Sequence, residues 1–178
     1  MKFLMAFFLW ISVVINSFSQ KTEHSNYFLT CSNLQGLNAT SWSISYYNYS
    51  ETYKQIWVYP LILSVEILKI KPEYFNRFNY QSANLNYFTL GFGAFRSIND
   101  YFKFNLGLNI PLGLEVLKKM DGEQINNIIM GVTPSQNIYF ISKSEHGIIF
   151  GIGVYEKLLT SLVYKSDFGI KAEVGIKF

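Results

Sequence analysis

The sequence predicts an all-β chain: an antiparallel, up-and-down transmembrane β-barrel of eight strands behind a cleaved signal peptide. Three observations carry that expectation. The first is strict alternation over 102–116, where Phe102, Phe104, Leu106, Leu108, Ile110, Leu112, Leu114 and Val116 are interleaved with Lys103, Asn105, Gly107, Asn109, Pro111, Gly113 and Glu115. A two-residue period is a strand signature, because successive side chains point to opposite faces. Ordinary strands run about 5–6 residues, whereas a tilted strand crossing a bilayer needs about 9–11 and can continue into the rims. The second is composition: 49% hydrophobic and 18% aromatic against 15% charged. That leaves little to cover a soluble surface but suits a barrel facing lipid. The third is the N-terminus.

Residues 1–19 read as a secretory leader: Lys2 supplies the charge, 3–15 the apolar stretch and Ser17-Phe18-Ser19 the small-residue site. The apolar run is too short for a spanning helix, which needs about 20 residues. Residues 20–178 remain as one barrel domain. A first strand is placed near 26–35 and a second at 41–49, where Trp42, Ile44 and Tyr46 alternate with serines. The third, 55–70, puts Trp57, Tyr59, Leu61, Leu63, Val65 and Ile67 on one face, with Ile62, Ser64, Glu66 and Leu68 opposite. The fourth, 83–97, sets Phe88, Leu90, Phe92 and Ala94 against Tyr87, Thr89, Gly91 and Gly93. The alternating stretch above is the fifth.

The sixth, 124–141, contains Pro134, which cannot donate to a ladder and predicts a bulge or local break. The seventh, 147–159, alternates Ile148, Phe150, Ile152 and Val154 with Gly151 and Gly153. The eighth ends the chain, with Phe168, Ile170, Ala172, Val174, Ile176 and Phe178 against Gly169, Lys171, Glu173, Gly175 and Lys177. Connections at 50–54, 98–100 and 143–146 then share an end with both termini, the periplasmic end where turns are short. Those at 71–82 and 118–123 fall opposite and are longer.

A soluble lipocalin-like barrel has the same period but points its apolar side chains inward. Here the polar face is rich in glycine, serine and asparagine, which suits a narrow lumen, and the bulky face suits lipid. Glu66, Lys103, Glu115, Lys171, Glu173 and Lys177 then become lumenal charges that need partners, because an unpaired buried charge is costly. Tyr46, Tyr49, Trp57, Tyr59, Tyr101 and Tyr155 are placed in interfacial aromatic girdles. The connection at 71–82 carries Tyr74, Phe75, Arg77, Phe78 and Tyr80, a candidate contact surface because aromatics and arginine are enriched in binding hot spots. Lys69, Lys71, Arg77, Lys118, Lys119 and Lys165 fall toward the same end and suit anionic lipid phosphates, diluted by Glu73, Asp121, Glu123 and Asp167.

Signals for catalysis are weak. His24 and His146 are the two histidines; Ser144-Glu145-His146 holds the residue types of a triad, but adjacent turn residues do not converge easily on one substrate. Two distant histidines and the single Cys31 offer no metal-ligand spacing and no internal disulfide. No cofactor is expected: Gly91-x-Gly93 and Gly151-x-Gly153 sit inside strands rather than in phosphate loops. A net charge of +3 is no footprint for nucleic acid.

In pattern and architecture, the chain resembles the small eight-stranded outer-membrane barrels, the class of outer-membrane protein X and the membrane domain of outer-membrane protein A. The terminal Gly175-Ile176-Lys177-Phe178 carries the sharpest likeness. Ile176 and Phe178 match the apolar positions of that family's assembly signal, while Glu173 stands where a glycine is usual. The resemblance implies insertion by the outer-membrane assembly machinery, contact with outer-membrane lipid including lipopolysaccharide, and export through the periplasm of a Gram-negative bacterium. Deacylases of this class carry a His-x-Ser pair, which neither histidine here provides. The expected function is therefore non-enzymatic, an envelope-structural or surface-contact role. The alternatives are a narrow channel, a lipid-modifying barrel enzyme and a soluble periplasmic binding barrel.

Overall fold

The computed structural model describes residues 24–51, 57–142 and 146–178; the expected leader lies outside them. The strand pieces are β1 (His24–Gly36), β2 (Ala39–Glu51), β3 (Trp57–Val58), β4 (Leu61–Ile70), β5 (Tyr80–Ser97), β6 (Phe102–Lys119), β7 (Gln124–Ile141), β8 (Gly147–Leu159) and β9 (Ser166–Lys177). A one-turn helix, α1 (Pro72–Phe75), and a 3-10 turn (Asn76–Phe78) join β4 to β5. Each strand pairs antiparallel with its neighbours in the order β5-β4-β2-β1-β9-β8-β7-β6, and β5 pairs with β6 to close the ring.

The ring has eight staves, because β3 and β4 are one. Trp57 stands opposite Arg96 and Leu61 opposite Phe92, so both pieces keep a single register against β5. The stave breaks at Tyr59 and Pro60, where the sequence reading ran a strand through. Proline has no N–H to give a ladder, although the Pro60 carbonyl still accepts from Gly93 N at 3.0 Å. At Pro134 the ladder to β8 skips from Val132–Leu158 to Ser135–Tyr155 with its register unchanged, a local break without a bulge.

Closure staggers the strands. Cα partners run from Tyr27 to Asn48, Leu61, Phe92, Leu108 and Pro134. The β7–β8 register then leads to Glu156, which pairs with Phe168, and Phe168 O accepts from Leu37 N, ten residues from the start. A stagger of this kind requires strands tilted by about 35–45° to the axis.

The alternation sorts cleanly by face. On β6, Leu106, Leu108, Ile110, Leu112 and Leu114 are 42–54% exposed, while Asn105 and Glu115 are 1% and 0% exposed. The bulky apolar residues of β4, β8 and β9, among them Val65, Ile67, Phe150, Ile152, Val174 and Ile176, also face out. Hydrocarbon covers the outside of the wall while Glu66, Glu115, Lys157 and Glu173 are buried inside it, the inverse of a soluble barrel. Connections 37–38, 71–79, 120–123 and 160–165 lie at the end away from the termini, here the distal end. Connection 98–101 lies at the proximal end, as do Ser142 and His146, and the expected turns at 50–54 and 143–146 fall mostly outside the described residues. The expected length contrast is slight, since the two-residue turn at 37–38 is distal.

Candidate functional site

Inside the barrel, polar and apolar layers alternate along the axis. At the distal end Leu68, Ile70, Leu85, Leu117, Ile129 and Tyr164 belong to one buried cluster. At the proximal end Phe28, Tyr47, Ile62, Phe95, Tyr139 and Ile149 belong to another. Between them the strands present serines, threonines, asparagines and four of the charges. A residual cavity of about 30 Å³ survives there, lined by Ser43, Ser64, Thr89, Asn109, Thr133 and Ser135 among others, with room for about two waters. Gly91 packs closely against this layer: a Cβ there would meet the Asn109 side chain and come within 3.2 Å of Ile62 Cβ.

The charges form two ion-paired groups. Lys157 Nζ on β8 is bonded to Glu66 of β4 and donates to Ser41 Oγ at 3.1 Å. It also lies 4.9 Å from the centroid of the Tyr155 ring. Lys171 pairs with Glu173 at 2.8 Å. Glu173 further accepts from Tyr47 at 2.9 Å, from Tyr139 at 2.8 Å and from Thr30. Such satisfaction is what lets ions persist in a crowded interior, since an uncompensated one costs several kcal/mol.

Two further carboxylates hold the distal connections. Glu115 on β6 accepts from Leu162 N at 3.0 Å and from Ser161 Oγ, drawing the connection at 160–165 into the barrel mouth. Asp167 on β9 accepts from Tyr164 Oη at 2.6 Å and from Asn38 N at 3.1 Å. Tyr164 is fully buried, and burial first, then its bond to Asp167, holds its phenol well above the ordinary value.

Of the expected lumenal charges, the structure joins Lys171 to Glu173 and gives Glu66 a partner the sequence reading did not name, Lys157. Glu115 is buried and accepts from the Leu162 backbone, the Ser161 hydroxyl and the Asn127 amide, while Lys103 and Lys177 face inward near the proximal mouth and are partly exposed. Lys157 and Asp167 were missed as lumenal groups, Asp167 having been assigned to the distal surface. Parity finds both: Lys157 continues the inner face of Gly151 and Gly153, and Asp167 that of Gly169. Tyr155 also follows this parity and is buried inside rather than in a girdle.

The proximal girdle is built from outward Tyr27, Tyr46, Tyr59, Tyr101, Phe140 and Phe178, with Tyr27 stacked on both Tyr46 and Phe178 at 6.2 Å. The Tyr49 side chain lies outside the description. Ile176 and Phe178 face outward, and Phe178 N donates to Tyr27 O at 3.0 Å, fastening the last residue to β1. In the 71–79 connection, Arg77 and Phe78 are exposed and Tyr74 partly so, as is Tyr80 at the start of β5. Phe75, expected on that contact surface, is instead buried in the distal cluster, because the turn of α1 rotates it inward.

No family model matches the chain, and neither does any curated protein. Among solved structures it is similar to Neisserial surface protein A (NspA), with a TM-score of 0.50 and 11% identity over 86% of this chain and 96% of that one. It also aligns with Ail, the attachment invasion locus protein of Yersinia pestis, alone and in complex with the heparin analogue sucrose octasulfate. Those alignments have TM-scores of 0.49 at 12% and 11% identity, each covering 86% of this chain and 96% of that one. NspA is a small eight-stranded outer-membrane barrel; the likeness is one of fold, the closed antiparallel eight-stave barrel. Among the described residues no helix is long and apolar enough to cross a membrane.

Proposed function

We propose that this chain is an integral outer-membrane barrel of a Gram-negative bacterium, with a non-enzymatic role in envelope structure or surface contact. The observation that carries the reading is the inverted wall: exposed Leu, Ile, Val and Phe outside, and ions and hydroxyls inside. In water that arrangement exposes far more apolar surface than a monomer normally carries; in lipid it is the arrangement a spanning barrel requires. The likeness to NspA supports the architecture. The lumenal ions satisfy one another and the distal connections, which favours a scaffolding role over chemistry. The two apolar clusters that fill the lumen ends disfavour the narrow-channel alternative. On this reading, termini and short proximal turns face the periplasm, Ile176 and Phe178 serve recognition by the assembly machinery, and the exposed Arg77 and Phe78 lead the outer contact surface. The leader at 1–19 delivers the chain.

Cysteine labelling on intact cells tests this, with Cys31→Ser as background and single cysteines at positions 78, 106 and 107. We expect an impermeant reagent to modify 78, a lipid-soluble one alone to reach 106, and neither to reach 107. Ready modification of 106 in a soluble fraction would refute the membrane assignment, and protection of 78 on cells would reverse the sidedness.

A further inference from the structure

The outer wall carries its polar groups unevenly around the ring. Lys69 on β4 stands directly opposite Asn84 on β5; Asn84 stands opposite Val116 on β6, and Lys118 lies two positions further along, opposite Ser82. Lys69, Asn84, Asn86 and Lys118 all face outward and are exposed. On one face of a sheet, directly opposed residues have Cβ atoms about 4.5–5.5 Å apart and diagonal neighbours lie about 7–8 Å apart. Both lysines, on flexible four-carbon stems, therefore reach the space above Asn84. Among the described residues neither has an ion-pair partner.

The charge on these staves is one-sided. Glu66 and Glu115, the carboxylates of β4 and β6, are spent on the lumen. Among described side chains, the outward carboxylate on a stave is Glu156 of β8, three staves away from β5. Beyond the strands, exposed Arg77 adds a cation in the connection between β4 and β5, exposed Glu73 on α1 opposes it, exposed Asp121 lies in the turn after β6, and Glu123 is engaged with Lys119 at 2.5 Å. Toward the proximal end the same wall turns wholly apolar, through exposed Ile67, Phe88, Leu112 and Leu114. A cationic, amide-bearing patch bordering a hydrocarbon strip matches a molecule with an anionic head and acyl tails.

We propose that Lys69, Asn84, Asn86 and Lys118 bind the phosphate headgroup of an anionic lipid in the leaflet at the distal end, with its acyl chains along Ile67, Phe88 and Leu114. The amide N–H groups and ammonium groups donate to phosphate oxygens as charge-assisted hydrogen bonds. The apolar strip beneath the patch favours a bilayer lipid over free phosphate. The inference rests on the bilayer reading above.

Trp42 provides a local reporter, since it faces outward opposite Ile67 and is 61% exposed. Residues 20–178 carrying Trp57→Phe would be folded into phosphatidylcholine vesicles, and Trp42 quenched with brominated phosphatidylglycerol or brominated phosphatidylcholine. The anionic lipid should associate at least about five-fold more strongly, the scale expected for one lysine at an anionic surface. Lys69→Gln with Lys118→Gln should bring the two lipids to parity, while Lys165→Gln, on the connection between β8 and β9, should leave the preference intact. Folding of each variant is checked by the mobility of unheated protein on a gel. Parity in the parent, or a preference that survives the double substitution, would overturn the site. Loss of the preference on adding inorganic phosphate, but not sodium chloride of equal ionic strength, would reassign it to free phosphate. If neither lipid quenched Trp42, the bilayer reading itself would fall.

Discussion

Around Glu66 and Glu173 the lumen holds ions, hydroxyls and a small cavity. Toward the two ends of the same lumen, around Leu117 of β6 and Phe95 of β5, it holds packed hydrocarbon. Both regions face inward, use the same alternation and fill the same narrow bore. They differ in what each can tolerate losing. A hydrocarbon cluster degrades in proportion to the volume removed, because its contacts are many and individually weak. An ion-paired cluster does not, since deleting one partner leaves the other charged and dry. The polar middle is thus the less forgiving region, although hydrocarbon ends enclose it on both sides.

The largest expected effect breaks that middle. Lys157→Met removes the ammonium beside Glu66 and leaves a buried carboxylate, which should cost about 3–5 kcal/mol. Adding Glu66→Leu should recover a large part of the loss, because a well-packed apolar pair often matches the ion pair it replaces. Urea titration of the barrel in vesicles, read by unheated gel mobility, measures both variants. If the double variant is less stable than the single one, the ion-pair account of the middle fails.

Leu117→Ala is the matching break at the distal end. Leu117 is fully buried among Leu85, Ile129 and Val163, and its truncation should cost about 2–4 kcal/mol by lost burial and an unfilled cavity. Here the comparison sharpens: a Leu117→Met variant should recover most of the stability, since Met fills irregular gaps. A loss at Leu117→Ala below about 1 kcal/mol in the same titration would mean that the distal cluster is loosely packed.

What the sequence made legible follows from the range of the forces involved. Face assignment is local, because each residue's side follows from its neighbours two positions away. Thus Leu106 against Asn105, or Ile176 against Lys177, needed no tertiary knowledge. Even Lys157, to which the sequence reading gave no face, and Asp167, which it placed among the distal surface charges, lie on the inner face by the same parity. The partner of Glu66 could not be read, because Lys157 reaches it across the lumen from a stave remote in sequence. Nor could the fold of 160–165, which depends on Glu115 of another stave. Phe75 turned inward for a related reason, since the single turn of α1 is too short to show a period. The sequence put Lys69 and Lys118 toward the same end, but only strand register, which it does not carry, brings them to either side of Asn84.

The smallest effect probes the seam between the two regions, where Tyr164 belongs to the distal cluster by its ring and to the polar network by its hydroxyl. Tyr164→Phe keeps the ring and removes the donor to Asp167, leaving that carboxylate with Asn38 N at 3.1 Å. A hydrogen bond to a charged group contributes roughly 1.5–3 kcal/mol, and the remaining partner places the expected loss near the lower bound. The pH dependence separates the two roles of the side chain. Burial and then Asp167 raise the folded phenol above the ordinary value, so above about pH 10 the folded chain retains a proton that the unfolded chain releases. This contribution is fully present below pH 10 and declines as pH rises past it. The phenylalanine variant lacks it, so the stability gap between the two proteins should narrow from about pH 10 upward. A gap that stayed constant across that range would mean the hydroxyl does not titrate as a buried donor, and that Tyr164 serves the distal cluster through its ring alone.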